Sequence, residues 1–279
     1  MERLNPLNDY IFQKLLGEKG DEEQLLSFLN AVLKRTGRDT LISVEILESK
    51  VLTAEVIGDK TSILDILAVT DNNTRANIEV QLRNLGNMDR RSLFYWSRDY
   101  SKGIEAGEDY ILLPNVVAIN IINFDFIPLE DFHTTYHLWE DNHRHMLTDA
   151  LEIHFIEIPK FKRLADKDIT NNPLHRWLTY FDKNTPENIL QEVLNMDTAI
   201  KKADEKMTFI SNDKEALRLY HLREMAMSDW TSGVNNAKRQ AAEQIAENAV
   251  REGSTIEFVN KITGLDIEKI KKIQRQLKI

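Results

Sequence analysis

Three polar side chains interrupt a stretch of the sequence that otherwise alternates like a buried β-hairpin. Residues 63–81 read ILDILAVTDNNTRANIEVQ and place Asp65, Glu79 and Gln81 among apolar strand residues. Burial of a carboxylate is costly unless the group is paired with a cation or holds a metal. The pattern therefore predicts that a positive partner meets these side chains.

The spacing of the three residues suggests which partner this is. Side chains alternate along a strand, so Glu79 and Gln81 share one face, with Asn77, while Ile78 and Val80 share the other. Pairing across the DNNT turn would bring Asp65 near Glu79, and two close carboxylates repel unless one is protonated or a divalent cation lies between them. Hard cations such as Mg²⁺ prefer oxygen ligands of this kind.

Blander interpretations of the same residues remain open at this point. Asp65 can cap a turn or pair with a buried arginine, and Glu79 and Gln81 can lie on a solvent-facing side of their strand.

The overall composition narrows the classes of protein and site. The chain has 279 residues and no cysteine, which excludes disulfides and thiolate metal sites, so any metal must bind through O or N ligands. No run of about 18 apolar residues occurs, and the first residues lack the apolar core of a signal peptide. We therefore expect a cytoplasmic protein without membrane-spanning segments.

The formal charge of −9 is unevenly distributed. Residues 184–279 contain 15 basic and 15 acidic residues, so the first 183 residues carry the whole excess. A negative chain argues against non-specific coating of nucleic acid, although local basic groups or metals can still bind phosphate.

The periodicity of the chain predicts an α/β domain followed by helices. Two amphipathic helices open the sequence, with Asn8 or Asp9 as the cap of the first, and three strand patterns follow, the last two joined as the hairpin. Residues 1–183 are predicted to form an α/β domain around a central mixed sheet. Residues 184–279 give only helical signals and are predicted to form an appendage.

A helix is predicted from Met88 to Glu105, directly after the hairpin. Its apolar stripe is expected to be Leu93, Trp96, Tyr100 and Ile104, and its polar side Arg91, Tyr95, Arg98 and Lys102.

Asp65, a gap of thirteen residues and then Glu79-Val80-Gln81 resemble the motif of the PD-(D/E)XK nuclease superfamily. More closely, the chain resembles the PD-(D/E)XK nuclease family transposases, which are related to the recombination-promoting nucleases of bacteria. The segments that carry the resemblance, between about Asn5 and Asp182, are NDYIFQKLLG, LLSFLNAVL, NIEVQ, RRSLFYWSRDYSKGIEAGEDY and LTDALEIHFIEIPKF. The resemblance implies a restriction-endonuclease-like core, a central mixed sheet flanked by helices.

The resemblance also implies roles for the residues of the motif. Asp65 and Glu79 would bind Mg²⁺, for which Mn²⁺ is the expected substitute, and the backbone carbonyl of Val80 would complete the ligand set. Gln81 stands where such nucleases have lysine. An amide can position water or contact phosphate, but it has no charge with which to lower a pKa or neutralise an oxyanion.

Basic and aromatic residues after the motif are candidates for contact with DNA. Between Arg83 and Lys102 five basic residues face only two acidic ones. Arg91 and Tyr95 are the preferred phosphate contacts, with Arg90 and Arg98 as further candidates. The alternative is that these residues form only the solvated face of the helix, and the sequence does not favour either interpretation. Asp9 can approach the site from the first helix, although a capping role is the simpler expectation.

Four histidines also invite a metal interpretation. His133, His137, His143 and His145 lie near Asp131, Glu140 and Asp141, but their spacing matches no compact zinc motif. Polar residues of a β-hairpin are the better explanation.

The last 27 residues, from Gly253 onward, are predicted to form two short helices around the sequence ITGL. Ser254 and Glu257 form a candidate capping box, and Asp266 can cap the second helix. Six basic and two acidic residues between Lys261 and Lys278 suit contact with phosphate. A packing or self-association role is the stronger expectation, and two cuts on a duplex would suit a homodimer.

Two functions from different classes follow from these observations. The first is a Mg²⁺-dependent DNA endonuclease that hydrolyses phosphodiester bonds. The second is a nuclease fold with little catalysis that binds nucleic acid or a protein partner, as the acidic charge and the missing lysine favour.

Overall fold

The computed structural model describes residues 3–34, 37–48 and 66–277. The chain divides into two compact units, one up to residue 222 and one from residue 223 onward. The sequence predicts a functional boundary after residue 183, with a nuclease-like part before it and a helical appendage after it. This functional boundary stays a prediction.

Two short helices open the first unit, α1 (Asp9–Leu16) and α2 (Glu22–Val32). The side chain of Asn8 accepts hydrogen bonds from the backbone N–H groups of Tyr10 and Ile11, so Asn8 is the cap of α1. Both helices bury their isoleucine, their phenylalanines and all of their leucines except the partly buried Leu26, in agreement with the amphipathic pattern of the sequence.

The central sheet has six strands within the described residues. They are β1 (Val44–Glu48), β2 (Ile66–Thr70), β3 (Arg75–Gln81), β4 (Val116–Ile122), β5 (His133–Trp139) and β6 (Met146–Glu157), in the spatial order β1-β2-β3-β4-β6-β5. The β3–β4 and β4–β6 pairs are parallel, and the others are antiparallel. The predicted mixed sheet flanked by helices is confirmed.

The β2–β3 hairpin forms around the predicted DNNT turn. Ile66 lies opposite Ile78, and Leu67 lies opposite Asn77. Asn73 has φ +60°, a left-handed conformation that asparagine tolerates in tight turns. Residues 49–65, which include Asp65, lie outside the described residues.

Each face of the sheet packs against a different set of elements. Ile78 and Val80 of β3 belong to the main apolar core, which α1, α2 and later helices complete. The opposite face carries Ala118 and Ile122 of β4 and is covered by the helix α3 (Met88–Ser101). Glu79 therefore lies beneath α3.

Four further helices complete the first unit before the long helix begins. They are α4 (Ile158–Arg163), α5 (Pro173–Phe181), α6 (Glu187–Met196) and α7 (Thr198–Asn212). Aromatic rings of α1, α2 and α5 form its interior, with Phe28 5.8 Å from Trp177 and Phe12 5.4 Å from Phe181 between ring centroids. These aromatic pairs tie the N-terminal helices to the later ones.

The second unit contains the end of the long helix α8 (Lys214–Arg251), then α9 (Ile256–Thr263) and α10 (Ile267–Leu277). A small core of its own joins the three helices, with Val250, Val259 and Ile270 buried. Gly264 ends α9 at φ +68°, a conformation that favours glycine at helix ends. The cap of α9 is Thr255, whose hydroxyl oxygen accepts a hydrogen bond from the N–H of Phe258. The capping box predicted for Ser254 and Glu257 is therefore wrong, because the third helical residue after this cap is Phe258.

Among the described residues, no helix combines the length and the apolar character that a membrane span requires.

Candidate active site

Glu79 lies on a central strand, in the interior of the sheet. It is 4 % exposed, and β4 runs parallel beside it with Asn120 opposite. The preceding and following residues, Ile78 and Val80, point into the main core, so alternation directs Glu79 to the face beneath α3. The expected separation of the two faces is confirmed, and the carboxylate is buried.

Arg91 of α3 pairs with the Glu79 carboxylate. Its Nε and Nη2 each lie 2.9 Å from the same oxygen, Oε1. The second oxygen, Oε2, has no hydrogen-bond partner among the described residues. Glu79 is thus held at one oxygen by a guanidinium, and its other oxygen remains available.

Burial dominates the protonation equilibrium of this carboxyl. Loss of hydration raises the pKa of Glu79 above its ordinary value, and the charge and hydrogen bond of Arg91 oppose that rise. The site is therefore one in which additional positive charge would stabilise the carboxylate.

The backbone of β3 offers a second oxygen near Glu79. Gln81 O accepts a hydrogen bond from Asn123 N, on the β4 side of the strand, and Thr74 O accepts one from Thr70 N, on the β2 side. Successive carbonyls of a strand point to opposite neighbours, so the Val80 carbonyl points to the β2 side. This is the side on which the strand containing Asp65 was predicted to pair.

Gln81 lies at the end of β3, on the same strand face as Glu79. It is half-buried, and its Nε2 donates a hydrogen bond of 2.9 Å to the carbonyl of Arg83. The amide oxygen of Gln81 makes no hydrogen bond within the described ranges. The backbone therefore fixes the Nε2 side of this amide, and its oxygen can accept a hydrogen bond from another group.

Two of the predicted site residues are not brought to Glu79 by the described contacts. Asp65 lies outside the described residues, so its meeting with Glu79 stays a prediction. Asp9 is the first residue of α1 and is buried, and its Oδ1 accepts from the N–H of Tyr10 at 2.9 Å. An approach of Asp9 to the site also stays a prediction.

The basic residues of α3 separate into a buried and an exposed group. The Arg91 guanidinium lies over the Tyr95 ring at 5.1 Å, and the Arg98 guanidinium lies over the same ring at 4.7 Å. Arg90 is exposed, whereas the Arg91 side chain is only 16 % exposed. A role for these residues toward nucleic acid stays a prediction.

The predicted apolar stripe of α3 is wrong at Leu93, and the helix ends at Ser101 rather than Glu105. Leu93 is 49 % exposed, and the buried residues of α3 are Met88, Ser92 and Asp99. The physical reason is that the sheet face beneath α3 carries polar residues, Asn77, Glu79 and Asn120, beside its apolar ones. The helix therefore turns its hydrogen-bonding residues inward.

A buried polar network beneath α3 was not identified from the sequence. Asn77 Nδ2 donates to Asp99 Oδ2 at 2.7 Å, and Ser92 Oγ donates to Asn120 Oδ1 at 3.0 Å. Asn120 Nδ2 in turn donates to the carbonyl of His154. The available signal was Asn120 itself, a polar residue inside the apolar strand NVVAINIINF.

The histidine-rich hairpin forms between β5 and β6, as the pattern predicts. His133 Nε2 lies 2.8 Å from His154 Nδ1, and His154 Nε2 lies 2.8 Å from Glu152 Oε1. Burial, with the neighbouring His154, lowers the pKa of His133 to about 3. The part of the chain that the structure describes contains no group of three His, Asp or Glu side chains able to hold a metal.

The mixed β-sheet flanked by helices defines an α/β protein, with a buried acid on a central strand that an arginine of the following helix binds. The model of the PD-(D/E)XK nuclease family transposases matches residues 6–237, and the chain belongs to that family. Neither the curated proteins nor the solved structures contain a significant match.

Proposed function

We propose that this protein is a divalent-cation-dependent DNA endonuclease that cleaves phosphodiester bonds by attack of water. The observation that carries the proposal is the buried Glu79 carboxylate, of which Oε1 is bound by Arg91 and Oε2 accepts no hydrogen bond from the residues that the structure describes. Membership of a nuclease family supports the same chemistry.

The oxygen donors fit a hard cation such as Mg²⁺, with Mn²⁺ as its substitute. The proposed ligands are the carboxylates of Asp65 and Glu79 and the backbone carbonyl of Val80. The register of the described β2–β3 pairs supports this set, because one pair beyond Ile66 and Ile78 corresponds to positions 65 and 79. The direction of the Val80 carbonyl, toward β2, supports it as well.

A divalent ion held by these groups supplies a Lewis acid that activates water and stabilises charge on the phosphate. The task proposed for Gln81 is to position the attacking water or a phosphate oxygen through its amide. Because Gln81 is neutral, it cannot itself neutralise the developing charge.

Contacts to the DNA backbone are proposed for α3 and for the C-terminal unit. Arg90, Tyr95 and Arg98 lie on the helix that covers Glu79, and hydrogen bonds to phosphate position a nuclease without specifying sequence. In α10, Lys272 and Arg275 are exposed. A dimerising role of residues 184–279 is the alternative.

A nucleic-acid-binding or protein-binding module with weak catalysis is the second candidate function. Two observations favour it: the amide at the lysine position is bonded to the backbone of Arg83, and Arg91 already neutralises Glu79.

The test is cleavage of supercoiled plasmid by the full-length protein in Mg²⁺, Mn²⁺, Ca²⁺ or EDTA. We expect nicking in Mg²⁺ and Mn²⁺ alone, and a loss of at least 100-fold in Glu79→Gln and Asp65→Asn. Glu45→Gln is the matched control, because Glu45 is a strand glutamate that is exposed. Cleavage that survives in Glu79→Gln would refute the site, and no cleavage by the wild type would favour the binding module.

A further inference from the structure

Arg91 contacts Glu79, which is one of the proposed cation ligands. Its Nε donates a hydrogen bond of 2.9 Å to Glu79 Oε1, and its Nη2 lies 2.9 Å from the same oxygen as an ion pair without hydrogen-bond geometry. A carboxylate on a flexible glutamate side chain can rotate, and a hydrogen bond together with an ion pair on a single oxygen limits that rotation. The other oxygen then has a defined direction.

The arginine is itself held in place by its surroundings. Its side chain is mostly buried, and its guanidinium packs on the Tyr95 ring at 5.1 Å. Arg98 packs on the same ring at 4.7 Å but makes no ion pair with Glu79. The helix therefore presents two arginines to one aromatic ring, of which one contacts the acid.

We propose that Arg91 is a positioning residue of the cation site and not a phosphate anchor. It holds Glu79 through Oε1 and leaves Oε2 to the divalent cation, and it remains bound to Glu79 when the cation is present. This proposal rests on the proposed function, since it requires that Glu79 bind a cation. Groups that hydrogen-bond a metal-ligating carboxylate commonly change metal affinity about 10–100-fold when they are removed.

The test measures Mn²⁺ binding to the full-length protein without DNA, by calorimetry and by the electron paramagnetic resonance of free Mn²⁺. We expect Arg91→Met to weaken Mn²⁺ binding by about 10–100-fold. Arg91→Lys, which keeps the charge but loses the planar guanidinium that holds Oε1 and packs on Tyr95, should lie between Arg91→Met and the wild type. Lys102→Met, a change at an exposed basic residue directly after α3, should leave Mn²⁺ affinity unchanged.

DNA binding in EDTA gives the second readout. A positioning residue that stays on Glu79 does not contact phosphate, so Arg91→Met should change DNA affinity in EDTA less than twofold. A clear loss there, with unchanged Mn²⁺ affinity, would show a phosphate anchor and overturn the proposal.

Two other results separate this proposal from the proposed function. If Glu79→Gln abolishes Mn²⁺ binding while Arg91→Met binds Mn²⁺ equally or more tightly, only the positioning role is overturned. If Glu79→Gln binds Mn²⁺ as the wild type does, both fail. Should Arg91→Met not fold, as judged by circular dichroism, Arg91→Lys decides alone, and unchanged Mn²⁺ affinity in that variant overturns the positioning role.

Discussion

At the scale of single residues, the chemistry of the site is set by the burial of Glu79. A carboxylate that is 4 % exposed needs compensating positive charge, and Arg91 supplies it through one oxygen. The same burial that raises the pKa of Glu79 favours a cation at the remaining oxygen. Arg91 and a divalent cation are therefore compatible partners of one carboxylate.

His133 shows the same principle with the opposite charge. Its imidazole is held neutral because burial and His154 lower its pKa from 6.5 to about 3. The unfolded chain binds a proton at this residue below pH 6.5, whereas the folded chain binds it only near pH 3. Acidification from pH 7.5 to 5.5 should therefore cost about 1 kcal/mol of unfolding free energy at this residue.

The pH prediction is checked by urea denaturation at several pH values. His133→Gln keeps an N–H donor for His154 and cannot titrate, so its stability should fall less than that of the wild type over this range. His145→Gln is the control, since His145 is exposed to water in the folded chain. Equal pH dependence of the wild type and His133→Gln would contradict the prediction.

At the scale of elements, α3 is docked on the sheet by polar contacts as well as by apolar ones. Met88 and Trp96 pack near Ile122 and Ala118, and the Trp96 indole donates to the carbonyl of Val116. The bonds between Asn77 and Asp99 and between Ser92 and Asn120 fix the rotation of the helix. That rotation directs Arg91 to Glu79.

Removal of one partner from this network should destabilise the first unit. Asp99→Ala leaves the buried Asn77 amide without its acceptor, and we expect a loss of about 1–3 kcal/mol in unfolding free energy. Asp99→Asn, which keeps an acceptor oxygen, should restore part of the loss.

Asp89→Ala is the matched control on the same helix. Asp89 is exposed in the first turn of α3, where an acid contributes less than about 1 kcal/mol. Chemical denaturation measures all three variants. Similar losses in Asp89→Ala and Asp99→Ala would refute a special role for the buried bond.

At the scale of the whole molecule, the family match and the compact units do not coincide. The match ends at residue 237, within α8, and the helices α9 and α10 lie beyond it. These helices have their own small core. The contribution of α9 and α10 to DNA binding or self-association must therefore be measured separately from that of the nuclease-like part.

Substitution of Lys272 and Arg275 tests whether the C-terminal unit contacts DNA. They are exposed and form no salt bridge within the described residues, whereas the neighbouring Lys271 is paired with Glu268 at 3.0 Å. If α10 contacts DNA, the double variant Lys272→Ala/Arg275→Ala should weaken DNA binding. It should also reduce the slope of log affinity against log salt by about two units.

Lys271→Ala is the control for this experiment and should reduce the slope by less than one unit. An unchanged slope in the double variant would show that Lys272 and Arg275 of α10 do not contact DNA phosphate. Sedimentation of the same variants would then show whether this unit mediates self-association.

Much of this architecture could be predicted from the sequence because its signals are local. Strand alternation placed Glu79 and Ile78 on opposite faces, the DNNT turn gave the hairpin, and the cap at Asn8 marked the start of α1. Each depends only on neighbouring residues, and each is confirmed.

Only the tertiary structure decided which residues meet across these elements. The sequence left Arg91 equally suited to phosphate or to solvent, and its pairing with Glu79 depends on how α3 rotates on the sheet. That rotation follows from buried hydrogen bonds between residues 22 and 28 positions apart in the chain. Local periodicity contains no information on such contacts, and it assigned Leu93 to the interior because apolar residues usually face a sheet. Here the sheet face also presents Asn77 and Asn120, so the helix buries Ser92 and Asp99 against them, beside the acid that the sequence had singled out.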